Sequence, residues 1–251
     1  MLGTVAVLVG AAFLVSSLSW LGETNSSTTS YRGVARLDLD LDNATVDFIA
    51  GGNEVVVEQK VTTSFFGGEA RIVEDGDVLE LVLNCPGIGI GCKGTYSVTA
   101  PAATELSGDT GNGTITIRAI EAPIDVTTSN GDIRLEEVAA SVKASTSNGD
   151  ITGTGLAAET LDVTTSNGGI SLDFAQAPAS VTARTSNGDI DLAVPDEAPA
   201  YAVSTSTSHG SVNNAIKTDP DAEGSISLRT SNGDIQLRRQ LLTRKYEDGQ
   251  P

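Results

Sequence analysis

One six-residue pattern sets the terms for this chain. It reads Thr128-Ser129-Asn130-Gly131-Asp132-Ile133 and recurs at 146–151, 185–190 and 230–235. Looser copies stand at 110–115, 165–170 and 207–212. The corner positions are Asn112, Asn130, Asn148, Asn167, Asn187, His209 and Asn232, spaced 18, 18, 19, 20, 22 and 23 residues apart. A near-constant period of this length belongs to a chain that coils and stacks on itself, because one repeat alone cannot bury its apolar face.

Each period holds two strand patterns. After Asn130, Ile133 and Leu135 alternate with polar residues; then Val142, Ala144 and Thr146 alternate again. Period-two alternation sends one face inward and one outward. One coil is therefore strand, arc, strand, turn. The expected fold is all-β, a β-solenoid of stacked two-strand coils of about 18–23 residues. At the turn, Asn-Gly is expected to supply positive φ angles for a tight reversal. Stacking predicts a Thr column (128, 146, 165, 185, 207, 230) and an Asn column whose amides bond coil to coil. His209 is read as a structural substitute in the Asn column. Residues 34–108 carry the same grammar more loosely, with Leu37, Leu39 and Leu41 alternating before Asp42-Asn43. They are expected to cap one end of the solenoid at 109–237.

The first 22 residues carry no charge. As a helix they would span roughly 33 Å, the thickness of a bilayer core. They read as an N-terminal hydrophobic helix, either a transmembrane anchor or a signal segment cleaved near Ser17-Leu18-Ser19. A polar linker is expected over 23–33. The location is then the cell membrane or cell surface, with an extracytoplasmic domain, or the medium if the segment is cleaved. The net charge of −18 argues against nucleic acid, whose phosphates would be repelled. Outside the cytoplasm, Cys85 and Cys92 are expected to form a disulfide, with free thiols the alternative.

The Ser-Asn-Gly-Asp-Ile repeats, the Cys85 and Cys92 pair, and Tyr96-Ser97-Val98-Thr99-Ala100-Pro101 together resemble the "putative adhesin" family of prokaryotic β-strand-repeat proteins. The resemblance covers 34–237. That family is a domain of unknown function. The resemblance implies a cell-envelope location and carries over no catalytic residues.

Three kinds of chemistry bear on these residues. Paired carboxylates for glycan cleavage would have to come from the turn position, where only Asp132 and Asp150 stand in successive copies. A calcium site on the same residues lacks the Asp-rich nonapeptide pattern. Asn25, Asn43 and Asn112 lie in Asn-x-Ser/Thr sequons, which matter in a glycosylating host. The basic and polar tail, 238–251, is expected to guard the exposed sheet edge or to meet an anionic polymer. The period grows by lengthening the arc opposite the turn, so Pro195, Asp196, Glu197, Asp219 and Asp221 mark a candidate binding rim. Tyr201 in that arc alternates with Val203, as a core residue would. The reading is a non-enzymatic surface module, an adhesin or envelope scaffold, with no cofactor. The alternatives are an extracytoplasmic sensor module and a glycan-active enzyme. Its expected partners are the membrane, through the N-terminal helix, and an unknown surface protein or glycan.

Overall fold

A computed structural model describes residues 24–63, 68–86 and 91–240. These contain 20 strands and no helix. The N-terminal hydrophobic segment and the tail beyond Gln240 lie outside the described residues.

The strands form two facing sheets. Sheet I holds the strands that precede each Asn-Gly corner, such as Ile124–Asn130, Val142–Asn148 and Thr160–Asn167, paired parallel. Sheet II holds those that follow it, such as Ile133–Glu136 and Ile151–Leu156, also parallel. Between them lies one aliphatic core, with Ile115, Ile133, Ile151, Ile170, Ile190 and Ile235 stacked in register and each at most 1% exposed. The alternation read from the sequence thus becomes columns: inward Ile, Leu and Val, outward polar residues.

The spatial order of the coils departs from the order of the sequence at both ends. The strand Arg36–Ala50 bends through both sheets. Its residues 36–41 lie between Val78–Asn84 and Glu105–Asn112, and its residues 44–50 between Lys93–Ala100 and Ile115–Arg118. At the far end, Ser225–Arg229 pairs with Ser180–Arg184 on one side and Ala202–Ser206 on the other. Its partner in sheet II, Ile235–Gln240, lies between Ile190–Pro195 and Val212–Asn214. The last coil in sequence is therefore second from the end in space, and the coil of Ala202–Ser206 and Val212–Asn214 is terminal.

Two expectations change. The polar stretch at 23–33 is no linker: Thr24–Tyr31 is a strand, antiparallel to Val55–Thr62. Thr favours strands, and eight backbone pairings outweigh the low hydrophobicity of the segment. The start of the basic tail does not guard an edge either. Arg238 and Arg239 belong to a strand paired on both sides. Arg238 bridges Asp191 and Asp173 at 2.9 Å each, and Arg239 pairs with Asp196 at 3.2 Å.

Candidate functional site

The Asn-Gly edge gathers the most regular side-chain chemistry in the molecule, in four columns. Each corner Thr donates its hydroxyl to a carbonyl of the neighbouring coil, and all but the half-buried Thr207 of the terminal coil are buried. The pairs run Thr110 to Ala44, Thr128 to Gly113, Thr146 to Gly131, Thr165 to Gly149, Thr185 to Gly168, Thr230 to Gly188 and Thr207 to Gly233, at 2.9–3.1 Å. Asn130, Asn148, Asn167, Asn187 and Asn232 each donate Nδ2 to the Oδ1 of the preceding ladder member at 2.9 Å, starting from Asn112. These amides are exposed; the Thr column is the buried one.

The expected positive φ is found at only some of the corner glycines, Gly113, Gly188 and Gly233. No corner Asn has a positive φ: among the described non-glycine residues only Ala119 and Glu137 do, at the opposite corner. The chain passes from one sheet to the other here rather than reversing in a hairpin, so the Asn backbone stays out of the left-handed region. Glycine is required because a Cβ on Gly131, Gly149 or Gly168 would stand 2.0–2.1 Å from a carbonyl oxygen of the adjacent coil.

The fourth column answers the question of the turn carboxylates. Asp132 accepts the N–H of Asp150, Asp150 that of Gly169, Asp189 that of Asp234, and Asp234 that of Ser211, at 2.7–3.1 Å. The Ser211 bonds hold the Asp234 carboxyl below its ordinary pKa. Because of the coil exchange, Asp189 and Asp234 are neighbours as well as Asp132 and Asp150. Each of these carboxylates joins one coil to the next.

The disulfide occupies the same edge. Cys85 and Cys92 are bonded, with Cα atoms 5.7 Å apart. The bridge closes the connection between Val78–Asn84 in sheet I and Lys93–Ala100 in sheet II, where other coils carry Asn-Gly. It is tied into the ladder: Asn43 donates to the Cys92 carbonyl at 2.8 Å, and Asp42 accepts the Cys85 N–H at 2.6 Å.

The rim residues are placed differently from one another. Pro195 is buried, Asp196 is held by Arg239, and Glu197 is exposed. Asp219 accepts the Asp221 N–H at 3.0 Å. The two long arcs are the crossings that carry the chain over one coil position and back. They pair with each other, since Tyr201 N–H donates to Lys217 and Asp219 N–H donates to Tyr201. Tyr201 is fully buried, its ring against Gly224, where a Cβ would lie 2.9 Å from the ring.

Open grooves of about 370 Å³ lie on the outer faces. One crosses the start of sheet I between Arg36 and Lys143, each cation facing an acid, Glu105 and Asp125. Another lies over Ser107, Asp109 and Asp125. Desolvation raises the Asp109 pKa, and Asp40, Asp38 and Asp42 raise it further. Sequence reasoning missed the outward ion ladder in which Arg118 bridges Asp47 (2.5 Å) and Glu136 (3.0 Å). Those residues are 71 and 18 positions away from it, and only the register brings them together.

No curated protein matches the chain. Solved structures that resemble it include a "putative lipid binding protein" from Parabacteroides distasonis, 13% identical, covering 87% of this chain and 98% of that one, TM-score 0.49. A "putative adhesin" from Parabacteroides merdae is 12% identical, with 87% and 97% coverage and TM-score 0.48. A "putative cell adhesion protein" from Clostridium sporogenes is 10% identical, with 87% and 100% coverage and TM-score 0.43. Residues 70–238 match the family described as Toastrack DUF4097. The chain belongs to that family.

Proposed function

We propose that the protein is a non-enzymatic cell-surface module, an adhesin or envelope scaffold, held at the membrane by residues 1–22 and acting outside the cytoplasm. The observation that carries this reading is the polarity of the stack. The first described strand, Thr24–Tyr31, is the edge of sheet II at one pole, and ten further sheet II strands extend from it. At about 4.8 Å per strand the rod is roughly 48 Å long. The Cys85–Cys92 disulfide supports an oxidising location. The inter-coil bonds of the corner carboxylates favour a structural role over catalysis.

The test is surface labelling of intact cells producing the full chain with a membrane-impermeant amine reagent. Exposed Lys93 and Lys143 should be modified, and the cysteines should resist alkylation until reduced. A chain protected from the reagent until lysis, with both thiols free, would sink the proposal.

A further inference from the structure

We infer that the terminal coil, residues 201–216, is a self-pairing surface: the C-terminal pole of one copy seats on the same pole of a second copy across a two-fold axis.

The backbone ladder stops there with its donors open. From coil to coil, a corner Gly N–H donates to the next coil: Gly131 to Asn148, Gly149 to Asn167, Gly168 to Asn187, Gly188 to Asn232, Gly233 to His209. The Ile that follows does the same, ending with Ile235 to Ser211. The terminal coil repeats the pattern with Gly210 and Val212, and no further coil follows it among the described residues. The core column stops there too. Its members Ile115 to Ile235 are at most 1% exposed, whereas Val212, the last, is 44% exposed. Val203 beside it is half-buried.

Charge selects the partner. In a chain of net charge −18, residues 198–216 contain no Asp, Glu, Lys or Arg, the longest such run among the described residues. Natural edges are ordinarily blocked by charge, Pro or a bulge. The opposite pole is finished in that way in sheet I, while its sheet II edge, Thr24–Tyr31, is uncharged. That pole carries antiparallel strands in both sheets, and Glu69, Arg71, Glu74 and Asp75 line the one in sheet I. Two such acidic molecules repel each other everywhere except where both are neutral. A two-fold contact sets neutral edge on neutral edge in both sheets, matches layers of identical width, and closes at the dimer; head-to-tail contact would set the neutral sheet I edge on the charged strand Glu69–Asp75 and would not close.

On the surface reading proposed above, on which this consequence rests, the N-terminal poles of such a dimer lie at opposite ends, roughly 96 Å apart. The pair then bridges two surfaces, and the ligand of this module is a second copy of itself.

The experiment is sedimentation equilibrium of the full chain in detergent over a range of concentrations. The protein mass should rise from 25.7 kDa toward twice that value. Val212→Lys and Asn213→Lys, both at exposed positions, should weaken association at least about tenfold. Ile49→Lys, at an exposed apolar position on the outer face of sheet II, should not. Unchanged thermal unfolding would show that the variants fold. A monomer at every concentration, a dimer indifferent to both pole variants, or a dimer that forms only after removal of residues 241–251 would each overturn the inference. The last result would assign the pole to the chain's own tail. Vesicles carrying the full chain then separate the two claims. Clustering that Val212→Lys abolishes supports both; pairing in detergent without clustering keeps the interface and overturns the bridging of surfaces.

Discussion

Thr165 and Asn148 share the same edge but should respond differently to truncation. The Thr165 hydroxyl is 2.9 Å from the Gly149 carbonyl, in a side chain only 2% exposed. Thr165→Val preserves the shape and leaves that carbonyl unpaired, so it should lower stability by about 1–2 kcal/mol. Asn148→Ala breaks two ladder bonds, but both amides can turn to water, and the loss should be about 1 kcal/mol or less. Chemical unfolding of the two variants checks the order; a larger loss at Asn148 would contradict it. Period two alone would turn Asn148 inward beside Thr146; it is exposed because it stands at the corner, where the strand ends. Asp109 tests the electrostatics. Its pKa is raised above 3.8 by desolvation and by Asp40, Asp38 and Asp42. The native state therefore holds this proton more tightly than the unfolded chain. The stability it contributes is present below 3.8 and is lost as pH rises through the native value. Asp109→Asn should raise the melting temperature at neutral pH by less than about 2 °C, and the gain should vanish in acid. A gain that persists below pH 3 would count against this cause.

Among elements, the disulfide connection stands in for an Asn-Gly corner. Replacing both Cys85 and Cys92 with Ser should lower stability by about 2.5 kcal/mol, from the entropy of closing so short a loop. The fold should survive, because Asn43 and Asp42 still hold the connection. Calorimetry with and without reductant checks this. The arcs at 195–201 and 215–224 were legible as insertions but not as crossings. Their lengths were plain in the spacings of 22 and 23. The reason for the lengths was not, since a crossing that skips a coil and returns reads, residue by residue, like loop drift. Replacing 214–223 with a short Gly-Ser turn should lower stability by about 3 kcal/mol or more. It removes Ile216 from the core and unpairs Tyr201 from its crossing partners. Unfolding by urea would reveal it, and an unchanged midpoint would argue that the crossing carries no stability.

For the whole molecule, the repeat was enough to read an all-β stack, its core columns and its Asn edge. The residues that carried this were Ile133, Leu135, Val142 and Ala144, whose alternation has one physical solution once the copies stack. The ends were illegible because pairing partners there are set by which strand best covers an open edge, and nothing local encodes that choice. Thr24–Tyr31 has hardly an apolar residue, yet it becomes a strand because Val55–Thr62 offers it a ladder. The coil at 225–240 slips inside the coil at 201–214, and this exchange is what leaves the neutral coil at the far pole.

The exchange of coil order is the claim from which the neutral pole and the two crossings follow, and cysteine pairs test it directly. Ser186, Ser208 and Ser231 lie exposed in one row on sheet I. In the structure Ser186 neighbours Ser231, as the bridge between Asn187 and Asn232 shows, while Ser208 lies one coil further on. Neighbouring coils place Cα atoms at about 4.8 Å, inside the range a disulfide spans, and two coils at roughly 9.6 Å, outside it. Mild oxidation followed by mass spectrometry of unreduced peptides should find Ser186→Cys joined to Ser231→Cys in that double variant. The Ser186→Cys/Ser208→Cys variant should stay unlinked. A linked 186–208 pair and an unlinked 186–231 pair would mean that the coils stack in sequence order, and the account of this molecule would fail at its base.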